Sequence, residues 1–176
     1  MERVDGAMLL LRLVVGGVLV VHGLNHAFGG GRLPGAARWF EGLGLRHGIV
    51  QATMSAVTEV VAGVGILLGL ATPLSAAAAV GVMAVAGVVA HRRNGFFVFR
   101  DGYEYVLVLA LCAVVLAWTG PGALSLDAAL GVSIAGVWAA LFAAGLGVIG
   151  AAGLLLLTYR PPLNDGTPAT AAGAPQ

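Results

Sequence analysis

The sequence has very little charge and no lysine. Only 10% of its 176 residues are charged, whereas 59% are hydrophobic. About a quarter of the residues in a typical soluble domain are charged. So few charges cannot cover a water-facing surface, and the sequence therefore predicts a protein that resides in lipid. The apolar runs are continuous rather than alternating, which argues against a transmembrane barrel and leaves helices as the spanning elements.

Cysteine is nearly absent. Cys112 is the single one, so neither an internal disulfide nor a CxxC redox pair can form. The net charge of +1 does not indicate a basic surface for binding nucleic acid. No metal or haem is implied, because there is no HExxH pattern and His22 and His26 have no acidic neighbour in sequence. A redox role would therefore need a bound cofactor or a protein partner.

Five segments qualify as spanning helices, which need about 20 residues. The predicted spans are Ala7–His26, Val50–Ala71, Leu74–His91, Tyr103–Thr119 and roughly Leu130–Tyr159. Thr72-Pro73 predicts a tight turn that makes the second and third spans antiparallel neighbours. A stretch from Ala36 to Leu43 with Trp39 and Phe40 predicts a short interfacial helix, and Ser125 is a candidate cap before the last span.

These elements predict an all-α fold, a polytopic membrane helical bundle. We expect a four-helix core in residues 1–130, an additional transmembrane helix in 131–160 and a disordered polar tail in 161–176. Within the spans, Gly65 with Gly69 and Gly147 with Ala151 have the small-xxx-small spacing that lets helix backbones approach closely.

Arginines are distributed unevenly between the two ends of the predicted bundle. We call the face reached by the end of the first helix the arginine-rich side, and the other the N-terminal side. The arginine-rich side carries Arg32, Arg38, Arg46, Arg92, Arg93, Arg100 and Arg160. The N-terminal side has Arg3 and little else. The positive-inside rule predicts that the arginine-rich side faces the cytoplasm.

Ionisable residues within the spans are candidate functional groups, because lipid makes them costly to retain. His22 and His26 share one face of the first helix, and Glu59 lies about 13 Å into the second. Arg12 is the basic residue nearest in depth to Glu59, so we expect the two to pair. The candidate ligand-binding residues are Arg12, His22, Asn25, His26, Glu59, His91, Arg92, Tyr103 and Glu104.

Each of these residues also has a structural interpretation. Arg92 is equally an interface anchor and Tyr103 an aromatic-belt residue, and His91 alone could be an ordinary polar group at a helix end. The whole set is harder to explain structurally, because antiparallel topology brings most of it to the arginine-rich side, and Arg12 and Glu59 are expected to extend it inward. The N-terminal side is expected to have almost nothing comparable.

Five sequence elements in order resemble the DoxX family of small bacterial membrane proteins, over about residues 7–130. They are Leu11-Arg12-Leu13 leading to His22-Gly23-Leu24-Asn25-His26, Glu59 followed by Gly63 to Pro73, His91 with Asn94-Gly95-Phe96-Phe97, Gly102-Tyr103-Glu104-Tyr105, and Gly120 to Asp127. The family often has a lysine where His26 stands.

The resemblance implies a four-helix fold, residence in the bacterial plasma (inner) membrane and a link with respiratory chains. Family members are named for a terminal quinol oxidase assembly, and relatives take part in thiosulfate:quinone oxidoreduction or are associated with oxidative or thiol stress. We therefore expect a membrane subunit of such an oxidoreductase system, in contact with lipids and a protein partner, that binds a quinone-like head group in the polar cluster. Quinone is the candidate cofactor.

Two other functions remain open. One is a non-catalytic accessory or scaffold subunit that binds lipid or a respiratory partner complex, supported by the glycine-rich packing surfaces and the extra span. A transporter is less well supported, since the spans carry no obvious inverted repeat or broken helix pair.

Overall fold

Seven α-helices account for most of the chain in a computed structural model, which describes residues 2–132 and 134–161. They are α1 (Glu2–Phe28), α2 (Arg32–Gly42), α3 (Gly48–Leu68), α4 (Thr72–Ala86), α5 (Glu104–Thr119), α6 (Leu126–Ala129) and α7 (Val137–Thr158). A π-helical turn, Gly87–His91, and a 3-10 turn, Arg92–Asn94, continue α4. No β-strand occurs in the described residues, so the predicted all-α fold is confirmed. Except for Pro161, the predicted tail lies outside them.

Four helices are long and apolar enough to cross a membrane: α1, α3, α4 with its continuation, and α7. The predicted fourth span, Tyr103–Thr119, corresponds to α5, an apolar helix that has only 16 residues and is not among these four. The last span begins later than predicted, at Val137, directly after Gly136, whose φ of +100° is not helical. Ser125 does cap a helix, but that helix is α6, where its hydroxyl accepts from the Ala128 amide at 3.2 Å.

The α1–α3 pair is held at very short range by glycines. A Cβ atom built on Gly16 would lie 2.6 Å from the Gly63 carbonyl oxygen, and one on Gly63 would lie 2.7 Å from that of Gly16. Side chains are excluded where two backbones approach so closely. This register puts Gly23 beside Ala56 and Glu59, and it sets Arg12 opposite the far end of α3.

The second layer consists of α4 with α5 and α7. Gly147 of α7 packs against Ala77, whose carbonyl oxygen would lie 2.6 Å from an added Cβ, and Ala151 is buried. The Gly147–Ala151 prediction thus describes a real packing surface. Gly65 and Gly69 do not form one together, since Gly69 ends α3 at φ +61° and Gly65 faces Ser75. The predicted antiparallel contact of α3 and α4 is present.

The loops on the arginine-rich side tie α2 and α7 to the bundle. The predicted interfacial helix is observed as α2, which packs on α3, and Glu41 accepts from the Gly48 amide at 3.0 Å. The Arg46 amide donates to the Thr158 carbonyl at 2.9 Å, and the Arg160 amide to the Gly44 carbonyl at 2.7 Å. The end of α7 therefore closes one edge of the space between the two helical layers.

Candidate functional site

A cavity of about 680 Å³ lies between the α1–α3 pair and the α4–α5–α7 layer, with α2 at its edge. Small-molecule sites occupy about 300–1,000 Å³. Along α4 and its continuation, lining residues extend from Leu74 to His91, about 25 Å of helix. Most of the wall is apolar. Its polar and ionisable side chains are His22, His26, Gln51, Ser55, Thr58, Glu59, His91, Asp101 and Tyr105.

Glu59 is the most deeply buried acid in this wall, with 4% of its side chain exposed. The Ser55 hydroxyl donates to Oε1 at 2.5 Å, and the His26 Nε2 atom lies 3.6 Å from the same oxygen. The other oxygen, Oε2, has no hydrogen-bond partner among the described residues. A buried polar atom without a partner is costly, so Glu59 has an unused hydrogen-bonding position at the cavity.

The two histidines of α1 are both placed at the cavity by the α1–α3 register. His26 is 22% exposed, and its ring lies against Phe40 of α2 with a centroid separation of 5.6 Å. The His22 ring lies 6.2 Å from that of Tyr105, at the start of α5. Through His26 and His22, one turn of α1 thus contacts α2 on one side and α5 on the other, at the mouth of the cavity.

His91 reaches the cavity from the π-helical turn that continues α4. Its Nδ1 atom lies 2.9 Å from the Asp101 carbonyl oxygen and 3.4 Å from the Asp101 carboxylate. The Asn94 side chain donates to the same carbonyl oxygen at 3.0 Å. Helices containing a π turn often have it at a functional site, and here that turn carries His91 to the loop that closes the cavity.

Five of the predicted site residues do not line the cavity: Arg12, Asn25, Arg92, Tyr103 and Glu104. Asn25 and Arg92 are exposed. Tyr103 packs edge-on against Phe96, at a centroid separation of 5.5 Å. Glu104 accepts from the Val98 amide at 2.9 Å and so organises the loop before α5. The structure therefore brings His22, His26, Glu59 and His91 to one cavity and leaves the other five predicted residues outside its wall.

The predicted Arg12–Glu59 pair is wrong. Arg12 is 1% exposed, donates to the Leu124 carbonyl, and lies against Gly69, at the opposite end of α3 from the histidines. The prediction rested on Arg12 being the basic residue nearest in depth to Glu59. The Gly16–Gly63 contact fixes the two helices in a register that keeps Arg12 and Glu59 at different depths.

The N-terminal side also contains a buried polar cluster, against expectation. Asp127 is 5% exposed and accepts from the amides of Ala71 and Thr72, at 2.8 and 2.9 Å, and from the Thr72 hydroxyl at 2.7 Å. Its negative charge acts favourably on Arg12. This cluster joins α1, α4 and α6, and its contacts are those of a structural anchor.

Sequence reasoning also missed a polar stripe on α3. Gln51, Ser55, Thr58 and Glu59 all line the cavity. Their spacing of four, three and one residues is that of one helix face, so helical periodicity alone could have identified Ser55 and Thr58. The aromatic residues of α2, Trp39 and Phe40, line the cavity as well. Within the described ranges, no three His, Cys, Asp or Glu side chains are grouped closely enough to hold a metal ion.

The helices and the cavity define a polytopic helical membrane protein with one ligand-sized site between its two layers. The family model DoxX matches residues 7–92. This range covers most of α1, all of α2 to α4, and the cavity residues His22, His26, Glu59 and His91. The predicted resemblance to the DoxX family over residues 7–130 is confirmed for residues 7–92. No curated protein and no solved structure matches the sequence.

Proposed function

We propose that the chain binds a quinone-like amphiphile in this cavity, as a membrane subunit of a respiratory or thiol/oxidative-stress oxidoreductase system in the bacterial plasma membrane. The observation that carries the proposal is the buried Glu59 carboxyl group, whose free Oε2 atom adjoins a long apolar space. An amphiphile with a polar ring could hydrogen-bond to this carboxyl group and place its tail against the apolar wall.

The chain's own residues would bind and orient the head group. The His26 Nε2 atom lies 3.6 Å from the Glu59 carboxyl group, and His91 and Tyr105 line the same cavity. Carboxyl, imidazole and phenol groups can all exchange hydrogen bonds with ring oxygens. Electrons would have to be supplied or accepted by a protein partner, since this sequence carries a single cysteine and no recognisable pattern for haem or an iron–sulfur cluster.

Ligand titration of the purified protein tests the proposal. A decyl-substituted benzoquinone should bind to the wild type, and Glu59→Ala should weaken binding about tenfold, the effect of one hydrogen bond lost in a desolvated site. Asn25→Ala is the matched control, because Asn25 is polar and on the same helix as His26 but outside the cavity. Equal losses for the two variants would refute the assignment of the site.

The second candidate is a non-catalytic subunit that holds a phospholipid. It is favoured by the apolar wall and by Arg92, Arg93 and Arg100, which are exposed beside the loop containing His91 and Asp101. Mass spectrometry of small molecules retained by the protein from native membranes separates the two. Retained phospholipid, together with an oxidoreductase partner whose activity survives Glu59→Ala, would favour the accessory role.

A further inference from the structure

His91 is a polar cavity residue whose hydrogen-bonding direction is set by the backbone. Its Nδ1 atom lies 2.9 Å from the Asp101 carbonyl oxygen. A carbonyl oxygen accepts hydrogen bonds and cannot donate them, so this contact requires a proton on Nδ1. In a neutral imidazole the second ring nitrogen is then an unprotonated acceptor. The hydrogen bond thus assigns Nε2 of His91 as an acceptor.

The surrounding loop holds this arrangement in place. Asp101 has a left-handed backbone conformation, with φ +60°, and its amide donates to the Val98 carbonyl at 2.9 Å. The Asn94 side chain shares the Asp101 carbonyl oxygen with His91. The Asp101 carboxylate, 3.4 Å from Nδ1, is a second group that favours a proton on this nitrogen. Backbone geometry and side-chain charge therefore select the same tautomer.

Three other polar groups in the cavity can hydrogen-bond in either direction. The Glu59 carboxyl group donates when protonated and accepts when ionised, and the Tyr105 hydroxyl and Gln51 amide can do either. Each can satisfy a ring hydroxyl or a ring carbonyl. His91 differs, because Nε2 pairs with a hydroxyl group but would oppose the lone pairs of a carbonyl oxygen.

We infer that the cavity prefers the reduced, dihydroxy form of a ring head group over the oxidised, dicarbonyl form. The inference rests on the proposed function and adds to it the redox form that the site retains. A hydroxyl donates to His91 Nε2, whereas the oxidised ring has no hydrogen to offer there. In a subunit of a redox system, such a preference would hold the electron-carrying form of the ligand.

Three probes measure the preference in purified wild-type protein under anaerobic conditions. They are a decyl-substituted hydroquinone, the corresponding benzoquinone, and the dimethyl ether of the hydroquinone, which keeps the ring and chain but has no donor. The hydroquinone should bind about tenfold more tightly than the other two, the effect of one hydrogen bond. Equal affinity, or tighter binding of the benzoquinone, would overturn the preference and leave the proposed function standing. Binding of none of the three would overturn the proposed function.

Two variants assign the preference to His91. His91→Gln should abolish the ratio between hydroquinone and benzoquinone, because a side-chain amide can both donate and accept. Glu59→Gln should change both affinities and leave their ratio intact. A ratio that is retained in His91→Gln would contradict the inference.

The tautomer itself can be observed without any ligand. In ¹⁵N spectra of wild-type protein labelled at histidine, His91 should show a protonated Nδ1 and an unprotonated Nε2 at a pH where the ring is neutral. The His91→Gln spectrum identifies the signal by its loss. A neutral His91 protonated on Nε2 would overturn the inference.

Discussion

Asp127 provides the sharpest test of how the bundle is anchored. Its buried carboxylate accepts three hydrogen bonds at the start of α4, from the Ala71 amide, the Thr72 amide and the Thr72 hydroxyl. Its own amide donates to the Gly69 carbonyl at 2.9 Å. A negative charge at a helix N-terminus is favourable. One side chain of α6 therefore stabilises the turn that joins α3 to α4.

Asp127→Ala would leave two backbone amides and one hydroxyl without their acceptors. Each unsatisfied buried donor costs about 1–3 kcal/mol, and a lost helix cap about 1 kcal/mol. Because water can reach part of an exposed loop after the change, we expect a total loss of about 3–5 kcal/mol in the free energy of unfolding. Asp127→Asn should cost less, about 2 kcal/mol, since its remaining carbonyl oxygen can still accept from one of the donors.

Asp5→Ala is the matched control on the same side of the bundle. Asp5 accepts one hydrogen bond, from the Ala123 amide at 2.8 Å, in exposed surroundings, so its loss should cost no more than about 1 kcal/mol. The measurement is reversible unfolding in mixed detergent micelles, followed by circular dichroism. If Asp127→Ala unfolds within about 0.5 kcal/mol of Asp5→Ala, the anchoring role is refuted.

The remaining predictions concern the α1–α3 pair. Gly16→Ala should destabilise the protein by roughly 1–3 kcal/mol, because the new methyl group would meet the Gly63 backbone. The control is Gly17→Ala, which should be tolerated because its methyl group would meet no atom within 4 Å. Equal unfolding midpoints for the two variants would contradict the observed register. The double variant Arg12→Glu with Glu59→Arg should recover none of the stability lost in the two single variants, since these residues lie at opposite ends of α3. Recovery of more than about 0.5 kcal/mol in a double-mutant cycle would show coupling between them.

Hydropathy and turn chemistry were sufficient to predict the membrane class, four of the five proposed spans and the antiparallel order of α3 and α4. These properties are local, because a continuous apolar run must be helical in lipid wherever it packs. The predicted topology also placed His22, His26, Glu59 and His91 in one region. This prediction required only the direction of each helix.

The partners of Arg12 and Asp127 were decided by tertiary structure alone. Arg12 and Glu59 differ in depth by a few turns, and nothing in the sequence states the register of α1 on α3; the Gly16–Gly63 contact does. Asp127 lies more than fifty residues from its partners at the start of α4, and its role depends on where the chain folds back after α5. The cavity has the same origin, since it is the space left between two layers whose separation is set by backbone contacts. Composition and periodicity thus determined which segments enter the membrane, and close packing determined which polar groups meet there.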